Sequence, residues 1–393
     1  MVEISKHLFD STCRDVPCNV LLHPWNKHCL PSYVRTYANS FIGSAKFYFI
    51  IHMAQNLMKG RKILEREELM KAVEYYARST LLGTLVSGTC GTFGCSVRRL
   101  LGNKLTYYTY IMIPNMINGI FILLEPPSRR GLVINLFVNL VLEFWTRALE
   151  SKGYISMSTG KQTFLFMIGS AVLFYLMRLE GESNKRTPLL WLFTPEKVRR
   201  KSDESKNVCP HEGLCRPFIM KGFLKYFGFG FGFTMLRVLA PRLKTPIMAL
   251  SKLRWKHLNM GLFFGSYIGI YRAVICYLCR KHGTDSAVYA LPAGCLAGLS
   301  FYFKPSLGFA IASLTGAFKL YSTILYEKKI LPESIPIPLL LYCFSQGLLF
   351  HARFMHPEDC PGYIMKLTNN VTNGLDKEIH ASLMEVVKRT ALQ

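Results

Sequence analysis

Apolar residues fall along this chain in blocks, with shorter polar and basic stretches between them. Ten blocks lie at about 38–58, 79–97, 106–124, 131–149, 163–177, 218–236, 258–279, 287–303, 307–326 and 335–350. Residues 79–97, 106–124, 163–177 and 335–350 carry no charged side chain. Uncharged runs of this length predict helices that cross a bilayer, where the backbone must satisfy its own hydrogen bonds. The pattern predicts an all-α, polytopic membrane protein.

A hydrophilic stretch over 178–217 divides the blocks five and five and reads as an exposed linker. The expected organisation is a cytosolic Cys/His region (1–37), a first membrane repeat (38–177), that linker, a second membrane repeat (218–350) and a polar tail (351–393). The tail ends in an amphipathic run, EIHASLMEVVKR, predicted to form a short helix. The opening MVEISKHLFDSTCRD is too polar for a signal peptide.

The two halves look like copies. Ser79, Gly83, Ser87 and Gly91 stand every fourth residue, and an offset of 182 lands on Gly261, Gly265, Gly269 and Ala273. Further on, an offset of 178 takes Pro114 to Pro292 and Pro127-Ser128 to Pro305-Ser306. We read this as an internal duplication. Small residues four apart let helix backbones approach closely in lipid, where little hydrophobic drive exists between helices. Gly294 and Gly298 read the same way, as helix packing. So do the glycines of FGFGFGF, which sit in an apolar block unlike those of a dinucleotide loop.

Charge refines the count of spans. The net charge is +24, and the basic residues flank apolar blocks, where membrane proteins keep their topogenic charge. With no separate basic domain and no RNA-binding aromatic motif, nucleic acid is excluded as a partner. If all ten blocks cross, Lys and Arg divide about evenly between the two sides. If 38–58 and 218–236 lie along the surface, most collect on one side. The expectation is duplicated four-helix units with eight firm spans, plus two interfacial or additional spanning segments. Both termini and the linker then lie on the cytosolic side. Ten spans would instead make the halves inverted repeats.

Asn135, Asn139, Glu143 and Arg147 are four residues apart and line one helix face. An intramembrane Glu is costly and faces protein or water. Its candidate partners are Arg272 and Lys319. Two readings stand side by side: an ion pair joining the halves, or a polar path or headgroup site. Asn115 and Asn118 beside Pro114 extend the polar set, and Pro114 and Pro292 are expected to bend their helices. No HExxH, GxSxG, P-loop or paired carboxylates beside a His occur, so no enzymatic activity is expected.

Cys18, His23 and Cys29 precede the first block of the first half. Cys209, His211 and Cys215 precede the first block of the second. On a cytosolic face a lasting disulfide is disfavoured. Thiolate and imidazole suit structural zinc, although the spacing is not that of a standard zinc finger. Reduced cysteines at helix entrances are the alternative.

The run Gly261–Arg272 (GLFFGSYIGIYR) resembles the transmembrane protein 135 family, also called a 52-kDa peroxisomal membrane protein. So do Ala293–Ser300 (AGCLAGLS), Ser128–Leu132 with Asn139 and Glu143, Lys221-Gly222-Phe223, and the opening Cys18, His23, Trp25 and Cys29. The resemblance implies a multi-pass protein of peroxisomal and mitochondrial membranes, linked to lipid metabolism and mitochondrial fission, with no established enzymatic activity. It also implies a distant similarity to the mitochondrial Tim translocase channels. Lys281, Asp285, Ala293-Gly294 and Gly298 approximate their Arg…Asp…Gly-Gly…Gly pattern. The functions in view are movement of a lipid or metabolite between the repeats, a scaffold recruiting fission-machinery proteins, and a translocase-like channel. The bilayer itself, and a bound lipid, are the expected partners. Oligomeric state is not readable from the sequence.

Overall fold

A computed structural model describes residues 3–58, 65–179, 208–211, 213–239, 254–330 and 336–391. Most of the linker expected over 178–217 lies outside the described residues. Among the described residues all repeating structure is helical. The chain forms two compact units, residues 1–154 with 335–393, and residues 155–334.

In the first unit α1 (Lys6–Thr12) and α2 (Cys18–Leu21) lead into two long helices, α3 (Cys29–Met58) and α4 (Arg66–Leu100). Helix α4 carries Glu67 and Glu68 in its first turn and Arg98 and Arg99 in its last, so both ends complement the helix dipole. Next come α5 (Tyr107–Tyr110), α6 (Met112–Asn118) running into a 3₁₀ turn (Gly119–Leu124), and α7 (Pro127–Ser151) with proline at its first turn. Late in the chain, α13 (Ile337–Met355), α14 (Gly362–Val371) and α15 (Leu375–Ala391) complete this unit.

The second unit holds α8 (Thr159–Leu179), α9 (Cys215–Leu239), α10 (Asn259–His282), α11 (Ala290–Gly298) with a 3₁₀ turn (Leu299–Phe303), and α12 (Leu307–Glu327). Helix α10 ends on Gly283 at φ 70°, a left-handed cap that glycine adopts without strain.

The units repeat one scheme. A first long helix pairs with the small-residue helix (α3 with α4, α9 with α10). A broken helix (α6 or α11, each continued by a 3₁₀ turn) lies on that helix. The fifth member is exchanged. Helix α8 follows the first half in sequence yet packs on α11 and α12. Helix α13 ends the second half yet packs on α6 and α7. The repeats expected as 38–177 and 218–350 are therefore not the compact units.

Contacts explain the exchange. A Cβ on Gly294 would lie 2.7 Å from the Ser170 carbonyl oxygen, and one on Gly298 would lie 2.6 Å from Met167 Cα. These two glycines form the seat of α8. Tyr267 and Ser170 hydroxyls bond at 2.9 Å, and Arg178 pairs with Asp285. Phe166 stacks on Phe301 with centroids 4.6 Å apart. In the first unit a Cβ on Gly119 would lie 2.8 Å from Cys343 Cα. Gln346 of α13 donates to the Asn115 carbonyl at 2.9 Å and also to Asn118 Oδ1.

Among the described residues, five helices are long and apolar enough to cross a membrane: Arg66–Leu100, Arg129–Ser151, Thr159–Leu179, Asn259–His282 and Leu307–Glu327. The expected eight counted 106–124 and 287–303 as full spans. Met112–Leu124 is instead a short α-helix continued by a 3₁₀ turn, roughly 23 Å long against a hydrocarbon core of roughly 30 Å, and Ala287–Phe303 is a short α-helix with a 3₁₀ turn at each end. The block expected at 335–350, helix α13, is the third of the eight that is not among these five. These candidate spanning helices keep large apolar side chains exposed, among them Phe164 and Ile168 of α8 and Phe318 of α12.

The tail corrects the sequence reading further. Helices α14 and α15 bury Ile364, Leu367, Val371, Leu383 and Val387 in the first unit. Arg353 Nη2 pairs with Asp376 Oδ2 at 2.9 Å, both side chains buried. The tail is amphipathic, and its apolar face belongs to the core. The N-terminal region does the same through Ile4, Phe9, Leu21 and Leu22.

Candidate metal centres and the polar interior

Cys18 opens α2, His23 lies in the turn after it, and Cys29 opens α3. Folding brings these three to Cys95 of α4, with the four ligand atoms within 4.8 Å of one another. In the second unit Cys209 and His211 lie ahead of α9, Cys215 opens α9, and Cys276 stands on α10. These four ligand atoms also lie within 4.8 Å of one another. Either group can hold a metal ion. The sequence reading found three members of each. Cys95 and Cys276 escaped it because they sit within apolar helices, far from their partners in sequence. The duplication held the signal: both stand on the small-residue helix of their half.

The surroundings favour ligation. His23 Nδ1 donates to the Asn26 carbonyl at 2.9 Å, which leaves the lone pair on Nε2. That Nε2 is buried and has no hydrogen-bond partner. Cys18 and Cys29 sulfurs are 3.8 Å apart, as are those of Cys209 and Cys215. His211 Nε2 is 3.3 Å from Cys276 Sγ. The His211 ring stacks on Phe218 at 4.1 Å, and the Arg272 guanidinium also lies 4.1 Å from the Phe218 ring centroid. Burial pushes the Cys18 thiol above its ordinary range, with Cys29 adding to it and Arg98 opposing. Cys209 is raised in the same way, by burial and Cys215, with Arg280 opposing. None of the six cysteines is in a disulfide.

Residues 16–148 match the family model for the N-terminal cysteine-rich region of Transmembrane protein 135. Over this region the chain is similar to the transmembrane protein 135 family. The match contains the whole first centre, Cys95 included. No solved structure matches the chain.

The intramembrane polar residues take different places from those expected. Glu143 pairs with Arg147 on its own helix at 2.6 Å, in place of Arg272 or Lys319. At an i, i+4 spacing this is the local option, and it needs no second element. Asn135 and Asn139 are buried on the same helix. Arg272 donates to the Phe218 carbonyl at 2.7 Å. Gly222 makes room for it, since a Cβ there would lie 2.6 Å from the guanidinium. Lys319 lies on α12. Asn115 and Asn118 form a buried network with Gln346, and Asn118 Nδ2 donates to the Val86 carbonyl at 2.7 Å.

The small-residue series divides. Gly83 faces Ser44 and Tyr48 of α3, Gly261 and Gly265 face Phe227 of α9, and Gly265 and Gly269 face Phe223. Ser87 bonds its own helix at the Gly83 carbonyl. Gly91 has no atom near its missing Cβ and lines an apolar cavity of about 70 Å³ within the first unit. Ser79 donates to Glu125 Oε1 at 2.6 Å, with His52 Nε2 3.2 Å from it, all three buried. A nucleophilic serine would hand its proton to the imidazole. This one gives it to the carboxylate and serves as a bridge between α3, α4 and the segment leading into α7. Asp285, part of the translocase-like pattern, pairs with Arg178, which lies outside that pattern.

Proposed function

We propose that this chain is a multi-pass protein of peroxisomal or mitochondrial membranes that supports lipid metabolism and mitochondrial division, with both termini cytosolic. The carrying observation is the match of residues 16–148 to the transmembrane protein 135 family, together with helices that can cross a bilayer. Zinc is the ion this reading assigns to the cysteine–histidine clusters, because thiolate and imidazole donors suit it. The protein acts here without chemistry of its own.

The Glu143–Arg147 pair favours a scaffold role over movement of cargo along the Asn135–Glu143 face, because the carboxylate is already neutralised on its own helix. Cells lacking the protein, complemented with wild type or Glu143→Ala, test both parts. The reading predicts that wild type sits in peroxisomal or mitochondrial membranes and restores mitochondrial division and lipid stores. Glu143→Ala at normal abundance is expected to restore them equally. Residence in another membrane would sink the organelle assignment, and loss of rescue by Glu143→Ala would return the polar path to favour.

A further inference from the structure

We infer that each unit holds its own zinc ion in a complete Cys3His set, with Cys95 and Cys276 as the fourth ligands. Each ion ties the segment ahead of α3 or α9 to the small-residue helix paired with it, α4 or α10. The inference rests on zinc being the ion in the clusters.

Geometry carries the ligand sets. A tetrahedron with zinc–sulfur bonds of about 2.3 Å has sulfur–sulfur edges of about 3.8 Å. Cys18 to Cys29 and Cys209 to Cys215 both measure 3.8 Å. With a zinc–nitrogen bond of about 2.0–2.1 Å, the sulfur–nitrogen edge is about 3.5 Å. His211 Nε2 to Cys276 Sγ measures 3.3 Å. Neither set needs a ligand from elsewhere, since all four donor atoms lie within 4.8 Å of one another in each.

Three further observations point to an ion. His23 is 2% exposed, and its Nε2 has no hydrogen-bond partner while Nδ1 is fixed by the Asn26 carbonyl. Burying such a nitrogen without a partner is unfavourable, and a metal satisfies it. A zinc with three thiolates has a net charge of −1, and a guanidinium acts on each cluster: Arg98 on Cys18, Arg280 on Cys209. Arg98 and Arg280 are related by the same offset of 182 that relates the small-residue helices. The arrangement also occurs twice, from different loop spacings, around equivalent helix pairs. Four protein ligands leave no open coordination position, so both centres are structural.

The test is zinc per chain on the full-length protein, purified in detergent without added metal. Wild type is expected to hold two zinc ions, Cys95→Ser one, Cys276→Ser one, and the double variant none. Wild type also reads the ligands directly by mass-mapped alkylation. Cys95 and Cys276 should be protected together with Cys18, Cys29, Cys209 and Cys215, and all six should become reactive after a strong chelator. Two zinc ions unchanged in both serine variants, or chelator-insensitive labelling of Cys95 and Cys276, would overturn these two as ligands while zinc stands. One zinc per wild-type chain would overturn separate centres. A different metal, disulfides at Cys18–Cys29 and Cys209–Cys215, or free thiols without metal would overturn the zinc reading itself.

Discussion

At the residue scale, glycines that look alike in sequence do different things. Gly294→Ala and Gly298→Ala each push a methyl into the backbone of α8 at less than 3 Å. Overpacking of this kind costs about 1–3 kcal/mol. Thermal unfolding in detergent should register each as a clear loss. Gly91 belongs to the same kind of series, yet its missing Cβ meets no atom within 4 Å. Gly91→Ala should be neutral or stabilising by up to about 1 kcal/mol, through helix propensity alone. Equal losses at Gly91 and Gly294 would contradict the packing described here. The fourfold spacing was legible in sequence, but which small residues touch a neighbour was not, because that depends on where the partner helix lies. Glu143 teaches the same lesson. Its residue type demanded a partner, and the nearest one stood a single turn away.

At the element scale, the exchanged helices are the main departure from what the sequence conveyed. The apolar helices were legible because long uncharged runs leave little choice, although α3 and α4 begin well ahead of their blocks. The assignment of α8 and α13 was not, since adjacency in sequence suggests packing with the preceding block. Buried polar contacts decide it. Arg178→Met leaves Asp285 without its ion-pair partner and should cost the second unit about 3–5 kcal/mol. The double change Arg178→Met with Asp285→Leu should recover most of that loss, because replacing both members of a buried pair is nearly neutral. A double variant no better than the single would show that the pair does not hold α8 in place. In the first unit, Gln346→Ala leaves the Asn115 carbonyl and Asn118 without their donor, for a loss of about 1–3 kcal/mol. The tail was misread for a related reason. Its mean polarity hid an apolar face that α14 and α15 turn into the core. Truncation after residue 356 should therefore lower the thermal midpoint and shorten the lifetime of the protein in detergent. A truncated chain as stable as the full one would restore the polar-tail reading.

At the scale of the whole molecule, the duplication organises what the sequence showed only in parts. Three of the four members of each Cys/His set were visible at once. The completing cysteine lay on the small-residue helix of the same half, 66 residues after Cys29 and 61 after Cys215. Their shared place on the small-residue helix, one residue out of the 182 offset, was the signal that could join them. The resulting centres give both units one architecture: a leading segment, a long helix and a small-residue helix drawn together at one point. X-ray absorption at the zinc edge, on the full-length protein, tests this most directly. The account predicts three sulfur ligands at about 2.3 Å and one nitrogen at about 2.0–2.1 Å for each zinc. A first shell of oxygen and nitrogen only, or no zinc signal from folded protein with free thiols, would contradict it.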